Sequence, residues 1–280
     1  GNFAFNSIPI GTYTVHEILP NDSRYYPVNN DQSVTVTYGG TANVSITNNL
    51  KRGNIAGTKN TETGTDKGSI TVQLLQGGTV IATTTTDANG NFAFNSIPIG
   101  TYTVHEVLSS GSKYYPVNND QNVTVTYGGT AYVSITNNLK RGDITGTKQT
   151  ETGADKGNIT IQLLQGNTVI ATTTTDANGS FKFTNIPIGN YIIHEVLPGE
   201  SKYYPVSNDI GVTVTFNGNA VTTITNNLKR GNIAGTKTTE TGVDKGGITI
   251  QLLQNGSVFA STTTADNGSW SFNSIPIGNY

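Results

Sequence analysis

The chain has 280 residues, more than one ordinary domain holds, so two or three domains with separate cores are expected. Its net charge is −2 and 12% of its residues are charged, which leaves no basic field for nucleic acid or an anionic membrane surface. Cysteine is absent, which excludes disulfides, thiolate metal sites and thiol catalysis, and no run of about 20 apolar residues offers a membrane span.

Thr, Val, Ile, Tyr, Asn and Gly are prominent in what remains, a mixture that favours pleated strands joined by tight turns, so the expected class is all-β. The string IPIG begins at Ile8, Ile97, Ile186 and Ile275, a period of 89 residues. The HE pairs ending in Glu17, Glu106 and Glu195 keep that period, as do the GTK triplets ending in Lys59, Lys148 and Lys237.

KRG triplets beginning at Lys51, Lys140 and Lys229 fall between strand-like segments and read as short solvated junctions, with neighbouring domains stiffly coupled. They divide the chain into residues 1–51, the C-terminal half of one repeat, residues 52–140 and 141–229, two complete repeats, and residues 230–280, the N-terminal part of another. Residues 268–280 match residues 1–13, which reads as a window on a longer repeating fibre.

Within residues 52–140, Ile55, Gly57 and Lys59 alternate onto one face of a first strand. The turn-rich TETGTDKG follows, and SITVQLLQ and TVIATTTT then make a hairpin. The DANG turn at 87–90 leads to a strand on which Phe92 and Phe94 point the same way, and IPIG leads into Tyr102, Val104 and Glu106. A loop with Tyr114, Tyr115 and Pro116 comes next, before two last strands, NVTVTY and AYVSITNN, joined at Gly128 and Gly129. About seven strands in 89 residues is the size of a two-sheet sandwich, with Trp270 a core ring at the position of Phe92.

Three inward series end in a polar residue: Ile55, Gly57, Lys59; Tyr102, Val104, Glu106; and Val133, Ile135, Asn137. Strand alternation selects Asn137 over its neighbour Asn138, and a bulge would reverse that choice. Each polar group is costly to bury alone. Burial lowers the pKa of a lysine and raises that of a glutamate, so a neutral amine can attack the asparagine carbonyl while a protonated acid polarises it and relays protons. The product is an isopeptide bond, with ammonia released.

The motifs IxGTK, DANGNFAFNSIPIGTYTVHEV, KYYP and VSITNN resemble the Cna B-type, or SpaA-like, repeats of Gram-positive surface adhesins and pilins. The resemblance covers the whole chain and implies tandem Greek-key sandwiches of the transthyretin (prealbumin) type. It also implies autocatalytic cross-links Lys59–Asn137, with Glu106 as the catalytic acid, and Lys148–Asn226, with Glu195 in that role. Glu17 with Asn48, and Lys237, then pair with partners outside this window. Where the family more often has a compact proline-glycine-tyrosine motif after the acid, this chain reads VLSSGSKYYP, which loosens the loop assignment there.

The function so implied is a structural stalk or fibre segment, extracellular, on the surface or cell wall of a Gram-positive bacterium, whose partner is itself, as head-to-tail repeats or a homopolymeric fibre. The alternative is an adhesin module whose repeats bind a host or matrix ligand, for which Tyr114 and Tyr115 are the candidate contacts. No enzyme activity and no cofactor are expected, since no nucleophile-base-orienter set and no phosphate loop occurs. His16, His105 and His194 lie 89 residues apart and read as surface residues, and the DANG turns lack the carboxylates of a calcium loop, so no metal is expected.

Overall fold

The computed structural model describes all 280 residues, and every regular element is a strand. The chain forms two compact units, Gly1–Leu139 and Lys140–Tyr280.

In the first unit, β1 (Gly11–His16) pairs antiparallel with β3 (Asp31–Val36), and β2 (Tyr25–Pro27) with β4 (Asn48–Leu50). The complete repeat that follows has β5 (Arg52–Thr61), β6 (Thr71–Gln76), β7 (Thr79–Thr85), β8 (Asn91–Pro98), β9 (Gly100–Val107), β10 (Tyr114–Pro116), β11 (Asp120–Val125) and β12 (Thr130–Leu139). These build two four-stranded sheets, ordered β10-β12-β5-β8 and β11-β9-β6-β7. The first and last strands, β5 and β12, are parallel neighbours, while β5 pairs antiparallel with β8.

The second unit repeats this plan in β13 (Arg141–Thr150), β14 (Thr160–Gln165), β15 (Thr168–Thr174), β16 (Ser180–Pro187), β17 (Gly189–Val196), β18 (Tyr203–Pro205), β19 (Asp209–Val214) and β20 (Asn219–Leu228). It continues through β21 (Arg230–Thr236), β22 (Thr249–Gln254), β23 (Ser257–Thr263) and β24 (Ser269–Pro276).

Period-two alternation decides which residues meet between the sheets. Ile55, Val72, Leu74, Phe92, Phe94, Tyr102, Val104, Val123, Val125 and Ile135 form the core of residues 52–139, and their counterparts form that of residues 141–228. Phe92 packs directly on Gly57, where a β-carbon would overlap the ring, and Phe181 and Trp270 sit likewise on Gly146 and Gly235. Trp270 also stacks edge-on against Phe272.

Two expectations need correction. Each complete repeat has eight strands rather than seven, because the segment read as a loop, Tyr114–Pro116, is an edge strand. Tyr114 faces Leu139 across that pairing, and three residues closed by a proline carry no alternation from which a strand could be read. The lysine and arginine of the KRG triplets are solvent-facing, but the triplets do not form linkers apart from the sheets. A single lysine, Lys51, separates β4 from β5, and Arg52 is already a strand residue whose Nη1 donates to Ser96 O at 2.5 Å. That bond steadies the IPIG turn, where Ser96 takes a left-handed φ of 57°. Arg141 and Arg230 hold Asn185 and Ser274 in the same way.

Candidate functional site

The lysine comes from the first strand, β5, and its backbone is fixed before its side chain is considered. Its N–H donates to Gly90 O at 2.7 Å, and Gly90, at φ 88°, closes the DANG turn at a distance that no β-carbon would permit. Asp87 holds that turn by accepting the N–H groups of Asn89 and Asn91 through Oδ1. Turn chemistry thus accounts for the acidic residue there.

Ile135 on β12 is the register partner of Lys59, and Asn137 that of Thr61, so Lys59 and Asn137 share the inward face of parallel neighbours. Glu106 comes from the other sheet, on β9, and reaches across the sandwich. Its Oε1 lies 3.1 Å from Lys59 Nζ, and in the second repeat Glu195 Oε1 lies 3.3 Å from Lys148 Nζ.

All six residues are out of solvent: Lys59, Glu106 and Lys148 are 1% exposed, Glu195 2%, and Asn137 and Asn226 0%. Asn138 is partly exposed and faces the other way, opposite Tyr115. Removal from water pushes the Lys59 and Lys148 amines below their ordinary pKa, and the facing glutamates oppose that fall. The amines also donate to the neighbouring carbonyls, Asn60 O at 3.1 Å and Gln149 O at 2.9 Å.

The rest of the site is poorly satisfied. The lysine and glutamate are at ion-pair distance, yet neither oxygen of Glu106 or Glu195 receives a well-directed hydrogen bond. Both ends of the Asn137 and Asn226 amides are buried without a partner. A buried polar group left so costs roughly 1–3 kcal/mol, and a core that keeps an unsatisfied glutamate and an unsatisfied asparagine together in both repeats needs a reason other than packing. In residues 1–51 the acid and the amide touch: Asn48 Nδ2 donates to Glu17 Oε1 at 2.8 Å. Lys237 Nζ donates to Thr238 O at 2.9 Å.

At 3.1 Å a proton can pass directly between lysine and glutamate. Its passage from Nζ to Oε1 turns the ion pair into a free amine beside a carboxylic acid, with no proton drawn from solvent. A neutral amine is a nucleophile, and Asn137 carries an amide carbonyl on the same inward face.

Other marked residues fall elsewhere. His16, His105 and His194 lie on the far face of their strands and bond through Nδ1 to Asp31, Asp120 and Asp209 at 2.6–2.7 Å. Tyr114 is 4% exposed, which removes it as a ligand-contacting aromatic. Its hydroxyl meets Thr63 Oγ1 at 2.5 Å and Asp66 Oδ2 at 3.0 Å, and Lys113 pairs with Asp66 at 2.9 Å. That cluster recurs at Thr152, Asp155, Lys202 and Tyr203, and it ties the TETG loop to the edge strand beside Asn137. Sequence reasoning passed over it, although each of these types keeps the 89-residue period.

Residues 52–139 and 142–228, more than half of the chain, match the SpaA prealbumin-like fold domain. The chain belongs to that family. Its relatives include serine-aspartate repeat-containing protein F of Staphylococcus epidermidis, 24% identical over 356 residues that take in all of this chain and 22% of the relative. Serine-aspartate repeat-containing protein D of Staphylococcus aureus is 28% identical over 267 residues, 77% of this chain and 20% of the relative. This SpaA-like chain thus spans about a fifth of the length of these relatives. Among solved structures the Bacillus anthracis TIE protein shares the fold, with a TM-score of 0.67 at 17% identity over 98% of this chain and 60% of that one.

Proposed function

We propose that this chain is a stalk or fibre segment of an extracellular protein on a Gram-positive cell surface, stiffened in each complete repeat by an autocatalytic Lys–Asn isopeptide bond. The observation that carries the reading is the twofold occurrence of a buried lysine at its glutamate, beside a buried asparagine whose amide has no other partner. Membership of the SpaA-like family and the staphylococcal serine-aspartate repeat-containing proteins among its relatives support the setting.

In the reaction Lys59 Nζ attacks Asn137 Cγ, the new Cγ–Nζ bond forms, the Cγ–Nδ2 bond breaks and ammonia leaves. Starting from the neutral amine and the carboxylic acid, Glu106 gives its proton to the departing Nδ2, takes up the one that Nζ loses, and ends as the acid it began. Lys148, Asn226 and Glu195 repeat the step. No oxidant, cofactor or metal enters the balance.

Because the bond joins the first strand to the last, tension on the chain passes through a covalent link and bypasses the hydrogen-bonded sheets. By analogy with a disulfide closing a loop of this length, it adds roughly 4–5 kcal/mol to stability, as much as the net stability of a small domain. Intact mass of the denatured chain tests the reading. Two missing ammonias, about 34 Da, support it, and the mass calculated from the sequence removes it.

A further inference from the structure

Besides the acid, a second glutamate stands at each asparagine and touches none of the reacting atoms. Glu62 directly follows Thr61, the register partner of Asn137. Its N–H donates to Asn137 O at 2.9 Å, and its Oε2 accepts the N–H of Leu139 at 2.8 Å. One residue therefore grips the last strand on both sides of Asn138, directly behind the asparagine whose side chain must meet the amine.

Glu151 repeats both bonds, to Asn226 O at 2.9 Å and from Leu228 N at 2.9 Å. Its other oxygen, Oε1, lies against Arg230 Nη2. Arg230 is the first residue of β21, and through Nη1 it also holds Ser274 O at 2.9 Å, in the IPIG turn of the repeat that follows. A continuous path thus runs from that turn through Arg230 and Glu151 to the backbone of Asn226.

Resting on the isopeptide reading, we propose that Glu62 and Glu151 are positioning residues for the asparagine, and that Arg230 makes bond formation in residues 141–228 depend on the folding of the next repeat. An amide with no hydrogen bond of its own is free to turn, so its placement has to come from the strand that carries it. Attack needs the amine about 3–3.5 Å from the amide carbon, and a displacement of about 1 Å costs on the order of a hundredfold in rate. While residues 230–280 are still unfolded, the Lys148–Asn226 link then forms more slowly.

The test uses the whole 280-residue chain, made by cell-free synthesis, with peptide mapping of both links over time. The Lys59–Asn137 link is an internal clock in every molecule. We expect Glu151→Ala to slow the Lys148–Asn226 link by on the order of 10- to 100-fold relative to that clock. Glu151→Gln keeps an acceptor for the Leu228 N–H but loses the charge that holds Arg230, so its link should form more slowly than the clock and faster than in Glu151→Ala, and Arg230→Ala, which loses the same contact, should be slowed as much as Glu151→Gln. Since Glu151 carries no proton in the reaction, the pH profile of the remaining rate should stay that of the unaltered chain. If Glu151→Ala fails to fold, the glutamine and Arg230→Ala variants decide the matter, since equal rates at both sites in them overturn the proposal. No link at either site in the unaltered chain overturns the isopeptide reading instead.

Discussion

Lys59 and Asn137 lie on one inward face of two parallel neighbouring strands, one step of the pleat apart, with Glu106 arriving from the opposite sheet. Lysine and asparagine owe their nearness to the register of β5 and β12, so it is as robust as the sheet itself. The acid depends on the packing of two sheets. Loss of the acid should therefore stop the chemistry while leaving both reactants in place.

Measured against the mass calculated for its own sequence, Glu106→Ala is expected to lack one ammonia, about 17 Da, instead of two, and Glu195→Ala likewise. Peptide mapping of the single variants should find the Lys148–Asn226 link intact when Glu106 is altered, and the Lys59–Asn137 link intact when Glu195 is. A single substitution that abolished both links would contradict two independent sites.

Asn137→Ala removes the cross-link and leaves Lys59 facing Glu106. The unlinked repeat should lose roughly 4–5 kcal/mol, which for a domain of this size lowers its melting temperature by roughly 20 °C or more. Calorimetry should resolve one early transition for this repeat and an unchanged one for residues 141–228.

Gly57→Ala places a methyl group in the ring of Phe92. An overpacked core of this kind costs about 1–3 kcal/mol, and Gly146→Ala should do the same against Phe181. Denaturant unfolding with Asn137→Ala as the common background measures it free of the cross-link.

Alternation along single strands made the lysine, acid and asparagine legible. Ile55 and Gly57 announce the face of Lys59, Tyr102 and Val104 that of Glu106, and Ile135 that of Asn137. Glu62 was not legible, because its role depends on the carbonyl of Asn137 and the N–H of Leu139, which only the paired register brings to it. Tyr114 was misread for a related reason. A tyrosine beside a lysine and a second tyrosine looks exposed in sequence, and its burial comes from a distant loop folding over it to offer Thr63 and Asp66.

Tyr114→Phe should cost about 1 kcal/mol, since the hydroxyl serves two partners in a nearly closed site. The same cluster predicts a pH effect. Lys113 first, then Tyr114 and Thr65, hold the Asp66 carboxyl below its ordinary value of 3.8. A depressed carboxylate stabilises the fold above its unfolded pKa, and that contribution fades as pH falls toward the folded value. Below about pH 4, then, Asp66→Asn should show a shallower loss of stability with acid than the unaltered chain, and above about pH 5 the two curves should run parallel.

The parallel pairing of β5 with β12 also sets how far a repeat can reach. Antiparallel first and last strands would return the polypeptide to the pole at which it came in, and a second repeat would have to double back. Parallel ones deliver it to the opposite pole, a ten-residue strand's length away, roughly 33 Å. Each 89-residue period thus spends most of its chain on width, and the short advance that remains is the part the proposed cross-link would keep constant under load.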